Sequence, residues 1–99
     1  MFTFYKQPSE KYTVAIEFAD RLPSGRSLAS AVISATVYSS GADATSTVVD
    51  TPTGTISGTQ VQFTIKAGSS TVDYRITIIV TLDNGHTLEE DLLMKVLAQ

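Results

Sequence analysis

The stretch TLDNGHTLEEDLLMK, Thr81 to Lys95, holds the only histidine of the chain and three consecutive acidic residues, Glu89, Glu90 and Asp91. Two readings compete for it: a metal or catalytic cluster, or a β-hairpin whose charges face water. Asp83-Asn84-Gly85 sits between two runs that alternate apolar and polar residues, and Asn-Gly is a strong hairpin signal. A two-residue loop, Asn84-Gly85, would pair Leu82 with Thr87 and Val80 with Glu89, setting an apolar face against a polar one. A three-residue loop, with Gly85 left-handed in a bulge, moves the pairing by one residue. Leu82 then faces His86, Val80 faces Leu88, Ile76 faces Leu92 and Tyr74 faces Met94. On the other face Thr77 meets Asp91 and Ile79 meets Glu89. A one-residue slip sends a strand's whole apolar set to the wrong side, so the three-residue loop is expected. It leaves Glu90 inward, opposite Ile78, where an unpaired carboxylate is costly. A second bulge near Glu89-Glu90, or a position near a sheet edge, would relieve that cost.

This register speaks against a metal site. Glu89 and Glu90 point to opposite sides of a regular strand, and His86 lies at the hairpin tip. Zinc needs three or four convergent ligands, and the chain has no cysteine. Other constellations are weaker still. GTISG, Gly54 to Gly58, lacks the spacing of a nucleophile elbow, and nothing fixes which serine His86 would face. The Asp and Gly pairs in SGAD and LDNG read as turns, because no EF-hand loop accompanies them. GTISGTQ is no phosphate loop, because Gly-Lys-Ser/Thr does not follow. No catalytic residue, metal or cofactor is expected.

Outward from the hairpin, period-two alternation recurs. Tyr12, Val14, Ile16 and Phe18 share a face. So do Ala31, Ile33, Ala35 and Val37, with Val32, Ser34, Thr36 and Tyr38 opposite them. Val61, Phe63 and Ile65 form another face, and Tyr74, Ile76, Ile78, Val80 and Leu82 the longest. Shorter strands are expected at Phe2 to Lys6, Ser46 to Val49 and Thr55 to Ser57. LPSGR, SSGAD, DTPTG, KAGSS and LDNGH are turn signals. EEDLLMKVLAQ could be a short helix, but its place in the hairpin favours a strand. The expected fold is all-β: a single antiparallel β-sandwich over residues 1–99, with about 6–8 short strands. Tyr74 stands where a tyrosine corner would, or is an ordinary strand aromatic.

Ninety-nine residues make one domain with a modest core. A net charge of −3 and seven singly scattered basic residues argue against nucleic acid. The N-terminus MFTFYKQPSEKYT has no apolar core of a signal peptide, and Ile76 to Val80 is far too short to span a membrane. A soluble protein made in the cytoplasm is expected, with export by a route other than a signal peptide left open. Phe2, Tyr5 and Tyr38 are candidate contact aromatics, with core or edge packing as the alternative. The segment FTFYK, ended by Pro8, is the candidate edge strand or docking arm, with Phe2 and Tyr5 as its anchors.

The succession of segments resembles a known family. After YTVAIEF comes LPSGRSLASA, then TISGTQVQFTIKAG, then DYRITIIVTLDNGHTLEEDLLMKV. The shared run is carried by Gly58, Thr59, Val61, Gly68, Tyr74, Ile76, Thr77, Thr81, Gly85, Glu89 and Val96. It is similar to the small Ig-like structural proteins of tailed phages and prophages, the fibre-tail adaptor-like family. The stretch SSGADATSTVVDTPTG is least matched. The resemblance implies an Ig-like sandwich and a non-enzymatic virion protein at the head–tail junction, tail or capsid surface. Its partners would be other virion proteins or copies of itself, without nucleic acid or membrane. The competing function is a bacterial Ig-like adhesion or carbohydrate-binding module, which would group exposed aromatics on one face.

Overall fold

A computed structural model of the protein describes residues 2–50 and 52–97, with Phe2 by its backbone only. The hairpin forms as its turn chemistry dictates. The Leu82 N–H donates to His86 O at 2.7 Å and the Gly85 N–H donates to Leu82 O at 3.0 Å. Gly85 has φ +87°, the left-handed conformation that closes a three-residue loop. The Asn84 side chain accepts from the His86 N–H at 3.1 Å and holds the tip. Two ten-residue strands follow from this turn, β6 (Asp73–Leu82) and β7 (Thr87–Val96). Their register pairs Tyr74 with Met94, Ile76 with Leu92, Ile78 with Glu90, Ile79 with Glu89 and Val80 with Leu88.

The other strands are β1 (Phe2–Lys6), β2 (Tyr12–Glu17), β3 (Leu28–Val37), β4 (Thr55–Ser57) and β5 (Gln60–Ile65). They build two packed sheets, ordered β1-β7-β6-β3 and β2-β5-β4. As in an immunoglobulin constant-type sandwich, the third strand shares a sheet with the sixth and seventh while the second lies in the other sheet. Pairing is antiparallel except between β1 and β7, which run parallel from Phe2↔Leu92 to Lys6↔Val96. That parallel pair was not part of the expected antiparallel pattern. It arises because β1 joins the edge of β7 that the β6–β7 hairpin leaves free.

The core lies between the sheets. Val61, Phe63 and Ile65 of β5 meet Ile33, Ile76, Ile78, Leu92 and Met94 of the four-stranded sheet, all at most 2% exposed. Tyr74 is buried and its hydroxyl accepts from the Ser69 N–H at 3.0 Å. This is the corner geometry, a tyrosine at the head of a strand bonded to backbone just upstream. Gly54 is needed for close approach: a Cβ there would lie 2.7 Å from Val61 Cγ1 and 3.0 Å from the Ala31 Cβ.

Ser46 to Val49, expected as a strand, is instead mostly a helical turn, α1 (Thr45–Val48), with only Val49 bridging to Ile65. The reason is burial. Val48 and Val49 are both inside, which a strand's alternation forbids. Residues 42–50 and 52–54 serve the free edge of β3. Val37 N–H donates to Ala42 O, Ala44 N–H to Ala35 O, Ile33 N–H to Pro52 O and Gly54 N–H to Ala31 O. The Thr45 hydroxyl accepts from the Ala35 N–H at 3.0 Å. A long edge that could pair with another chain is thereby covered.

Ile78 is wholly buried at the centre of this core. Ile78→Ala should lower stability by about 2–5 kcal/mol, whereas Val32→Ala on the outer face should cost under about 1 kcal/mol. Urea unfolding of the two variants checks the contrast, and equal midpoints would show that the inward face is misassigned.

Candidate protein interface

The two outer faces differ sharply. On the three-stranded sheet the outward positions are Thr13, Ala15, Glu17, Thr55, Ser57, Gln60, Gln62 and Thr64. None is a large apolar residue. On the four-stranded sheet they include Tyr5, Val32, Ile79 and Leu93, with Tyr38 just beyond β3. Tyr5 is 64% exposed, Val32 59%, Tyr38 51% and Ile79 40%. Val32 and Ile79 are cross-strand partners, so they form one apolar spot. Leu97 extends the face beside Tyr5, over a shallow hollow also lined by Lys6, Gln7 and Glu10.

The charges on this face are ordered. Arg75 lies over the Tyr38 ring at 5.6 Å, a cation–π contact, and Lys95 pairs with Asp73 at 3.3 Å. Two polar atoms, Arg75 Nε and Asp91 Oδ1, are buried without a hydrogen-bond partner among the described residues. Leaving such atoms unsatisfied costs about 1–3 kcal/mol each.

Tyr5 points outward on the edge strand β1. Phe2 pairs through its backbone with Leu92, but its side chain lies outside the described residues. FTFYK is an edge strand rather than a detached arm. What holds it is Lys6, a residue type that alternation alone would not place inside. Lys6 is 2% exposed, and its ammonium donates to Gln7 O at 2.8 Å, Pro8 O at 3.3 Å and Ala67 O. Three donors meet three carbonyls, so the buried cation is satisfied. Burial pushes its pKa down, and Glu10 partly opposes that. Val32 and Ile79 were visible in the sequence as off-face apolar residues. The signal missed was that they are cross-strand neighbours.

The acidic run separates as its alternation requires. Glu89 and Asp91 occupy the outer side, while Glu90 turns inward at the rim. No second bulge relieves Glu90, since the register runs unbroken through it. Relief comes from the edge position and from Arg21, whose Nη1 donates to Glu90 Oε2 at 3.1 Å and to Glu89 O at 2.7 Å. Arg21 sits on a 3₁₀ turn, Ala19–Arg21, and its guanidinium lies 5.8 Å from the Phe18 ring centre. His86 is exposed at the hairpin tip. Among the described residues no three histidine, aspartate or glutamate side chains group to hold a metal, and no helix is long and apolar enough to cross a membrane.

The family described as "Podophage GP4 fiber-tail adaptor protein gp77" matches residues 6–95 of the chain. No curated protein matches it.

Two carboxylates fix loops and should make stability sensitive to acid. The Thr59 hydroxyl, opposed by desolvation and aided by the Ala19 and Phe18 N–H groups, holds the Glu17 pKa below its ordinary value. The Thr45 hydroxyl and N–H do the same for Asp43. Both folded pKa values are depressed, so their contribution is complete above about pH 5 and disappears as pH falls through those values. Melting temperature measured from about pH 6 to pH 3 should fall more gently in Glu17→Gln than in wild type. Parallel curves would remove the assignment.

Proposed function

The chain belongs to the podophage fibre-tail adaptor family, and from that premise we propose that it links virion proteins through sheet surfaces and has no chemistry of its own. It is a phage virion structural protein, and its partners are other virion components. The reading holds that residues 1–99 act as one sandwich domain, made in the host cytoplasm and then built into the particle without contacting nucleic acid or membrane. The observation that carries the proposal is the asymmetry of the two outer faces. Every large apolar residue on an outward strand position belongs to the four-stranded sheet. Apolar residues rimmed by charges are what a protein-binding face presents.

A sugar-binding role has less support. Tyr5 and Tyr38 flank opposite edges of the face, with β7 and β6 between them, so they form no adjacent stacking platform. Partner contact through Val32, Ile79 and Tyr5 fits the geometry better.

The test separates folding from assembly. Val32→Arg combined with Ile79→Arg should leave the melting curve within a few degrees of wild type, because both side chains are exposed. The same variant should enter phage particles at least about tenfold less well. Normal incorporation would overturn this choice of face.

A further inference from the structure

A different side of the sandwich carries a second, more specific feature. β6 pairs along β7 from Thr87 to Lys95, but among the described residues β1 covers the other side of β7 only from Leu92 to Val96. The chain parity is fixed at both ends. His86 O accepts from β6, and the Leu97 N–H donates to Lys6 O on β1. Thr87 and Glu89 therefore turn their backbone N–H and C=O groups outward, past the point where β1 begins, as does the Asp91 N–H, while the Asp91 C=O faces the Phe2 backbone. Directly beneath them the two sheets part. A cleft of about 360 Å³ opens there between β2 and β7, lined by Ala15, Ile16, Glu17, Glu90 and Leu92.

We propose that an extended basic segment of a partner chain adds a strand along Thr87–Asp91 and places apolar side chains in the cleft between Ile16 and Leu92. This rests on the structural-link reading and deepens it by naming the chemistry of one partner.

Three observations select this occupant. The open edge needs a backbone: five residues of strand span roughly 17 Å, and an added strand would complete their ladder. Arg21 already shows the geometry, since its guanidinium donates to Glu89 O where an incoming N–H would donate. It is half-exposed and joined to the fold by a single 3₁₀ turn, so it acts as a displaceable cap. The alternation is set by the site, because side chains on one side of the added strand enter the cleft and those on the other meet water. The charge is set by the rim, where Glu17 and Glu90 line the cleft, Glu89 and Asp91 flank Glu90 on β7, and Arg21 pairs with Glu90. A second copy does not fit this description. The seven basic residues are scattered, and Lys6, the one on β1, is buried. Two of the other edges are poorer: β3 is covered by residues 42–50 and 52–54, and β4 has only three residues.

The experiment uses the full chain with a short synthetic peptide of alternating lysine and valine, and an alternating glutamate and valine peptide as control. The basic peptide should slow hydrogen exchange at the Glu89 and Asp91 amides and leave the outer edge of β1, at Thr3 and Tyr5, unchanged. Arg21→Ala should tighten binding by freeing Glu89 O, and Glu90→Lys should weaken it about tenfold. Glu90 lies at the rim, so its variant is checked for an unchanged melt; Glu17→Lys serves if it is altered. Equal binding of the acidic peptide, protection at Thr3 and Tyr5 instead, or no protection at Glu89 and Asp91 overturns the proposal. Incorporation of Glu90→Lys into particles at the wild-type level also overturns it, while the structural-link reading stands or falls separately on the Val32 and Ile79 variant.

Discussion

The register of the β6–β7 hairpin is the constraint on which the rest of the molecule depends. One glycine in a left-handed conformation, Gly85, makes the loop three residues long rather than two. That choice puts Ile76, Ile78 and Val80 inward together with Leu92 and Met94. The same choice sends Ile79, Glu89 and Asp91 outward and leaves Glu90 at the rim. The core, the outer face and the open edge are three consequences of one turn. A slip of one residue would exchange them all, because side chains alternate with a period of two.

Most of this frame was legible because it depends on local signals. Alternation marked β3, β5, β6 and β7, and the Asp-Asn-Gly turn fixed how the last two pair. Tyr74 proved to be a corner tyrosine, a role its position suggested but its bonding alone could decide. What was hidden depends on parts of the chain far apart in sequence. No residue of FTFYK announces a parallel partner; β1 goes to β7 because that edge is vacant. Nor does SSGADATSTVVD announce that it will run beside β3. Its hydrogen bonds are largely backbone ones, which leave little trace in residue types. Lys6 is the sharpest case. A lysine is read as solvated unless paired, and the third carbonyl that satisfies it, on Ala67, is sixty-one positions away.

The same distinction applies to the surfaces. Tyr5 and Tyr38 could be picked out because exposed aromatics are suggestive in any strand. Val32 and Ile79 became meaningful only when the register set them side by side. The cleft between β2 and β7 could not be read at all, since it exists where a strand is missing rather than where residues are present. Family membership says that the chain serves the virion.

The parallel pairing of β1 and β7 has a mechanical consequence. Residue 2 lies at one end of this pair and residue 97 at the other, and the two strands run in the same direction. Tension between those points would pull the strands past each other along their length. The five paired positions from Phe2 to Lys6 would carry the load together instead of opening one at a time. Lys6, tied to three carbonyls at the far end of β1, adds a fastening where that sliding would have to begin. An antiparallel first strand would bring the two ends to the same side and peel apart bond by bond. The fold thus resists tension applied between residues 2 and 97 more than an antiparallel first strand would.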